Sequence, residues 1–335
     1  MQTIQTKTYD ISIKSHSFNT VLDILEPFSV STYHILVDKN VYGLYKEKIL
    51  NAFSSSTYTI TVIPSGEHSK SFAVCESTIN TLMEKRVKRQ DYLVAIGGGV
   101  VGDLTGFIAS ILFRGINYIQ IPTTLLAMVD SSVGGKTAIN IPKGKNLIGA
   151  FHAPKHVIID PVFLTTLPEK ERKSGLSEML KAAIIGDATL LESLQHSTEI
   201  NEELIGRAIK VKLHYVEQDY HDLGIRHMLN FGHTYGHAIE QFHNYNVTHG
   251  EAVAQGMLMA LDLGVELGVT PVKIKNEISQ LITDLKLIKT PPVAKENLMP
   301  FMENDKKSTD EGVRFVLLSG YQNPIIKTLT WDDLL

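Results

Sequence analysis

Apolar and polar positions run along this chain in two rhythms, and the change between them falls at residues 164–168. Before it, compact β-branched and apolar runs stand at Tyr33 to Asp38, Tyr58 to Pro64, Tyr92 to Ile96, Tyr118 to Ile121 and His156 to Ile159. Amphipathic stretches such as Ser71 to Arg86 lie between them. Strands buried on both faces require such runs, so the alternation predicts an α/β domain with a mostly parallel, Rossmann-like sheet. After the change, apolar positions recur with a helical period over 169–195, 199–217, 227–243, 249–268, 272–286 and 294–303, with little strand signal until Val313 to Ser319. This part is expected to be mainly α-helical. The expected organisation is an N-terminal domain over 1–166 and a C-terminal domain over 167–335, joined without a flexible linker. The active site is expected in the interdomain cleft.

Composition narrows the partners. A chain of 335 residues with 43% hydrophobic content is long enough for two cores. Its formal net charge of -4 supplies no global basic field, so neither nucleic acid nor an anionic membrane is expected as a primary partner. Anion chemistry must come from local clusters. Cys75 is the single cysteine, which excludes an intramolecular disulfide and a Cys-x-x-Cys zinc site and suits a reducing, cytoplasmic setting. Met1 to Asp10 is polar, without the apolar core of a signal peptide, and no run of about 20 apolar residues occurs.

Candidate chemistry gathers around histidines. His233 and His237, in Asn230-Phe231-Gly232-His233-Thr234-Tyr235-Gly236-His237-Ala238, share one face of a predicted helix. His243 follows, and His249 opens His249-Gly250-Glu251. A catalytic zinc takes three protein ligands and keeps one position open, and Glu178, in Ser177-Glu178-Met179, is the best carboxylate to join the histidines. Spacing leaves open which histidines ligate and which one serves as an acid-base group beside the metal. Lys212, Arg226 and Asn230 precede or share the histidine helix, and a carboxylate or phosphate bound there would face the metal. Asp305-Lys306-Lys307 offers a further cation.

Two glycine-rich segments point to phosphates. Gly97, Gly99 and Gly102 satisfy G-x-G-x-x-G between a buried strand and an apolar helix, where backbone amides can approach a pyrophosphate. A tight strand-to-helix turn needs similar glycines, and the acidic residue expected about 20 positions later is missing from Ile119-Gln120-Ile121-Pro122. Asp38 with Asn40, or Glu67 with Lys70, could hold the ribose instead. The segment Val129 to Thr137 fails the Walker pattern, because Asp130 stands where its first glycine belongs. It reads as a substrate loop, with Lys136 offering a point charge and Lys143, Lys145 and Asn146 supporting it.

Together and in this order, these pieces resemble the 3-dehydroquinate synthases. The likeness is carried by residues 97–103 (GGGVVGD), 122–127 (PTTLLA), 129–138 (VDSSVGGKTA), 144–151 (GKNLIGAF), 230–238 (NFGHTYGHA) and 249–253 (HGEAV). The resemblance implies zinc or cobalt held by Glu178, His233 and His249, with His237 relaying a proton. It implies NAD+ on Asp38 and Asn40, on Ser65, Gly66, Glu67, His68, Ser69 and Lys70, and on Gly99, Val100, Val101, Gly102 and Asp103. Thr123, Thr124, Lys136, Lys145 and the stretch Phe163, Leu164, Thr165 and Thr166 complete that set. The implied substrate is a phosphorylated sugar acid, 3-deoxy-D-arabino-heptulosonate 7-phosphate, met by Asp130, Lys136, Lys145, Asn146, Lys181, Lys212, Arg226, Asn230, His237 and Lys306 or Lys307. Arg114 is expected to reach the phosphate in a neighbouring subunit of a homodimer.

One departure stands out. Asp219-Tyr220-His221-Asp222 replaces the usual Asp-Glu-Arg-Glu, which bears on the loop before Arg226. The nearest rivals are another sugar phosphate cyclase, which has no use for carboxylate binders at Lys212 and Arg226, and a metal-dependent polyol dehydrogenase, which releases NADH. A non-catalytic nucleotide-binding protein would need no ligand triad with a spare histidine.

Overall fold

The structure, a computed structural model, describes residues 1–302, 308–309 and 312–334. The chain divides into two compact units, one of residues 1–167 with 201–206, the other of residues 168–200 with 207–335.

The first unit is built on nine strands: β1 (Gln2–Gln5), β2 (Asp10–Ile13), β3 (Tyr33–Asp38), β4 (Tyr58–Ile63), β5 (Tyr92–Gly97), β6 (Asn117–Pro122), β7 (Lys136–Ile141), β8 (Gly144–Phe151) and β9 (His156–Ile159). Seven form one sheet in the order β1-β2-β9-β6-β5-β3-β4. Only the β1–β2 pair is antiparallel; from β2 to β4 every neighbouring pair is parallel. All six residues of β5 are buried, as a central parallel strand requires. Its helices are α1 (Val21–Leu25), α2 (Lys39–Phe53), α3 (Phe72–Glu84) and α4 (Gly99–Ile111). Leu36, Leu93 and Ala95 from the sheet and Val101, Leu104 and Ile108 from α4 share one core cluster. After β3 the chain moves outward to β4, and after β5 it moves the other way to β6. Their carboxyl ends therefore flank a crevice, the place where open α/β sheets bind ligands.

The short first strands and the β7–β8 hairpin were not legible as strands. β1 and β2 carry mixed polar and apolar residues without a long apolar run. The hairpin pairs Lys136 with Phe151 and Ile141 with Gly144, so the expected substrate loop, Val129 to Thr137, ends in a two-stranded ribbon that also carries Lys145 and Asn146.

The second unit holds α5 (Glu169–Gly186), α6 (Ala188–His196), most of α7 (Glu202–Val216), α8 (His233–Phe242), α9 (His249–Glu266), α10 (Val272–Asp284) and α11 (Lys295–Met302). Strands β10 (Ser308–Thr309), β11 (Gly312–Gly320) and β12 (Asn323–Leu329) form a small antiparallel sheet. Two predicted helices are broken. The one over 169–195 divides at Asp187, whose carboxylate accepts the Leu190 amide at 2.8 Å and caps a new helix. The one over 227–243 is a 3₁₀ turn, Ile225–Asn230, followed by a corner at Gly232 with φ of 79° before α8 begins. No helix among the described residues is long and apolar enough to cross a membrane.

Candidate active site

Three helices of the second unit supply one cluster. Glu178 lies in the buried middle of α5, His233 is the first residue of α8 and His249 the first of α9. Helix α9 reaches α5 because residue 250 is glycine: a Cβ there would sit 2.2 Å from the Ser174 carbonyl oxygen, one turn before Glu178. The Gly250 amide also donates to Ser174 Oγ at 3.0 Å. The corner at Gly232 starts α8 so that both His233 and His237 belong to its first turns.

The ligand-type atoms of Glu178, His233 and His249 all lie within 4.8 Å of one another. Nε2 of each histidine stands 3.4 Å from Glu178 Oε1, and Oε2 is ion-paired with Lys181. The carboxylate is 2% exposed, with Oε2 taken up by the Lys181 ion pair and Oε1 without a backbone or hydroxyl donor. Buried carboxylates are normally satisfied, so this pattern fits a divalent cation between the three groups. On the far side of the rings, His233 Nδ1 is 3.2 Å from the Phe231 carbonyl oxygen, and His249 Nδ1 is 3.2 Å from Glu240 Oε2. Each ring thus has an acceptor behind it, the arrangement that turns Nε2 toward a metal.

Electrostatics follow the same lines. Burial alone would raise the Glu178 pKa, but Lys181, His233 and His249 hold it well below the carboxylate range. Burial and then the Lys181 charge hold the His233 pKa well below that of an ordinary imidazole. Burial works against charge on His249 as well, yet the carboxylates of Glu178 and Glu240 beside the ring outweigh it and push the pKa up to about 10.

His237 stands beside the triad, its ring 5.4 Å from that of His233 and 6.3 Å from that of His249. His243 caps the end of α8, packs against Phe242 and takes no part in the cluster. Lys181, Lys212 and Arg226 are buried cations of the same unit, and Asn230 is half-buried at the end of the 3₁₀ turn. The altered run before Arg226 is organised by its first residue. Asp219 accepts the amides of Leu223, Gly224 and Arg226 at 2.9, 2.7 and 3.2 Å, and Arg226 Nη1 donates to the Tyr220 carbonyl at 2.6 Å. Side chains 220 and 221 contribute none of these bonds. Lys306 and Lys307 lie outside the described residues.

In the first unit, several residues expected around NAD+ follow the carboxyl ends of parallel strands: Asp38 at β3, Ser65 to Lys70 after β4, Gly99 after β5 and Thr123 with Thr124 after β6. Asp38 ends β3 and caps α2: its Oδ1 accepts the amides of Asn40 and Val41 at 2.8 and 3.2 Å and the Ser65 hydroxyl at 2.7 Å. Gly98 offers no side-chain cap to α4, so the first amides of that helix stay open to an anion. Cβ atoms at Gly98 and Gly99 would approach Thr124 and Ser131 within 3.0 and 2.9 Å. Thr123 Oγ1 is buried without a hydrogen-bond partner. Bare amides and an orphaned hydroxyl fit a dinucleotide pyrophosphate.

Lys70 is 4% exposed and ties three elements together, donating to Asp103 Oδ2 on α4 at 2.7 Å and to Asn146 Oδ1 on β8 at 2.5 Å. Asn140 joins them, its amide nitrogen donating to Glu67 Oε1 at 2.8 Å and its oxygen accepting from the Asn146 backbone at 2.8 Å. Gly66, His68 and Ser69 fill the turn between Ser65 and Lys70, with Ser69 buried. Asp130 lies in the turn Ala127–Ser131, and Lys136 and Lys145 lie on the hairpin. Phe163 faces Phe18 and Tyr45 at centroid distances of 5.3 and 4.9 Å, so its ring is spent on the core. Leu164 is buried too, leaving Thr165 and Thr166 exposed. Arg114 sits at the other end of α4 from the glycines, in a turn where Phe113 and Arg114 both have positive φ.

Glu240 and Asn140 were missed by sequence reasoning. Glu240 follows His237 by three residues on the histidine helix, a spacing that marks the same face but is also common among solvated glutamates.

Comparison with known proteins gives this geometry a family. A model described as the 3-dehydroquinate synthase N-terminal domain matches residues 60–174, and one described as the C-terminal domain matches 175–308. A 3-dehydroquinate synthase from Picosynechococcus sp. is 38% identical, over 98% of this chain and 94% of that protein. Among solved structures, 2-deoxy-scyllo-inosose synthase complexed with carbaglucose-6-phosphate, NAD+ and Co2+ superposes with a TM-score of 0.91 at 23% identity, over 99% of this chain and 98% of its own. A 2-epi-5-epi-valiolone synthase from Streptomyces hygroscopicus with NAD+ and Zn2+ bound gives 0.89 at 24% identity, over 100% and 96%. These two likenesses establish a shared fold. The near full-length relationship and the two family models place sequence and site together: the chain belongs to the 3-dehydroquinate synthase family.

Proposed function

We propose that this chain converts 3-deoxy-D-arabino-heptulosonate 7-phosphate to 3-dehydroquinate and phosphate, as a cytoplasmic homodimer that uses NAD+ and zinc or cobalt. The observation that carries the reading is the convergence of Glu178, His233 and His249, with His237 one ring away, in a chain of this family. The NAD+ with Co2+ or Zn2+ named for the two structurally similar cyclases supports the choice of cofactors. When bound, the cation supplies a Lewis acid to the substrate's C4 and C5 hydroxyls, and NAD+ supplies a two-electron acceptor that is restored within the turnover.

The chain's residues divide the remaining work. Glu178 and the two Nε2 atoms hold the cation. His237 takes the C5 hydroxyl proton on an imidazole nitrogen and returns it at the re-reduction step. Lys181, Lys212, Arg226 and Asn230 bind the substrate carboxylate and hydroxyls, with Lys306 or Lys307 adding a cation, which explains buried positive charge in a chain of net charge -4. Lys136, Asn146 and a second subunit's Arg114 hold the phosphate and stabilise its charge as it departs by β-elimination, while Asp130 and Lys145 meet the rest of the substrate. Asp38, Asn40, residues 65–70, 99–103, 123 and 124, and the backbone of 163–166 hold the dinucleotide. Arg114 stands one length of α4 from Gly99, about 20 Å for a helix of 13 residues. That distance supports its service to a second subunit.

The test is a turnover measurement with the heptulosonate phosphate. Equimolar phosphate and dehydroquinate, no net NADH, and loss of activity with a chelator that zinc restores are the expected result. Accumulating NADH, or no phosphate, contradicts the reading.

A further inference from the structure

We propose that Glu240 is the positioning residue of the metal centre, accepting the His249 Nδ1 proton and so fixing the tautomer that turns Nε2 toward Glu178 and His233. The inference rests on the metal-dependent reading above and deepens it.

Glu240 lies on α8 and is 5% exposed, and its Oε2 is 3.2 Å from His249 Nδ1. It is two helical turns after His233, so a single helix presents one metal ligand directly and reaches behind a second ligand that belongs to α9. A buried carboxylate is costly unless a charged or hydrogen-bonding partner compensates it, and the imidazole is such a partner. The two rings are oriented by different devices. Behind His233 stands a backbone carbonyl, that of Phe231, which no side-chain substitution removes. Behind His249 stands a side chain, so the orientation of that ring alone can be altered by mutation. An acceptor in that position both holds the ring plane and raises the basicity of the ligating nitrogen.

The experiment measures zinc affinity of the parent, Glu240→Ala and Glu240→Gln by competition with a chromophoric chelator, without substrate. It is joined to the visible spectrum of the cobalt-substituted proteins and to thermal melting of the metal-free forms. Glu240→Ala is expected to weaken zinc by about tenfold to a hundredfold, the range for outer-shell partners. Glu240→Gln, whose amide oxygen accepts the same proton, is expected to recover most of that loss, melt like the parent and show an altered cobalt band intensity. Should the alanine variant fail to fold, the glutamine variant decides by a weakened affinity with a changed cobalt spectrum. Parent-like affinity and spectrum in every folded variant overturn the proposal, and so does a glutamine variant that loses as much zinc as alanine. A parent that binds no zinc overturns the metal-dependent reading itself, which separates the two failures.

Discussion

Glu178 faces cationic or nitrogen-bearing groups from three helices, and its neighbour His237 sits within ring contact yet outside the ligand group. That separation of roles gives a residue-level prediction. His237→Ala is expected to lower turnover by about a hundredfold to ten-thousandfold, the range for a lost general acid-base group, with substrate affinity largely kept. Full activity in steady-state kinetics contradicts it. Lys136→Ala is expected to raise KM and lower kcat together, because its charge meets the phosphate both bound and leaving; unchanged constants remove Lys136 from the site. The candidate cluster was legible because histidines at helical spacing, a third histidine before a glycine and a glutamate among apolar residues are unusual company, whereas the choice of Glu178, His233 and His249 as ligands came from the family resemblance. Glu240 was not legible, since only the fold brings α9 against α8. The Phe163 ring packs on Phe18 and Tyr45, which leaves its backbone as the part that could face a dinucleotide.

Among the elements, α9 is the piece most exposed to a single change. Gly250→Ala is expected to cost about 1–3 kcal/mol, as overpacking does, since the new Cβ meets backbone of α5 that cannot yield like a side chain. Zinc affinity should fall with it, because His249 moves when α9 lifts. A parent-like denaturation midpoint contradicts this account. In the turn before Arg226, Asp219→Ala should raise KM for the substrate and leave zinc content intact, measured in the same preparation; equal KM means the turn does not position Arg226. The apolar runs made the long parallel strands legible, and the helical period made most helices so. The breaks at Asp187 and Gly232 were hidden because the apolar period continues across them while a cap or a left-handed residue turns the backbone. The hairpin was hidden because its lysines and glycines look like loop chemistry.

For the whole molecule, pH enters through histidines remote from the candidate metal ligands in sequence. His34 is 1% exposed between Thr59 and Asp91, and His156 is 7% exposed against Ser12. Burial lowers both pKa values, overriding the pull of Asp91 on one and Asp10 on the other. The unfolded chain takes up protons below about 6.5 that these folded sites refuse, so stability falls as pH drops from there and is unaffected by them above it. Denaturant midpoints between pH 6.5 and 5 should fall, and His156→Gln should flatten the slope; an unaltered slope contradicts the assignment. Among the described residues, Glu178, His233 and His249 form the group that could hold a cation, where α5, α8 and α9 meet. Metal content of purified Glu178→Ala, His233→Ala, His249→Ala and His237→Ala, set beside the parent, tests that most directly. The account predicts zinc lost from the first three and kept by the fourth, and equal zinc in all four, or equal loss, would contradict it.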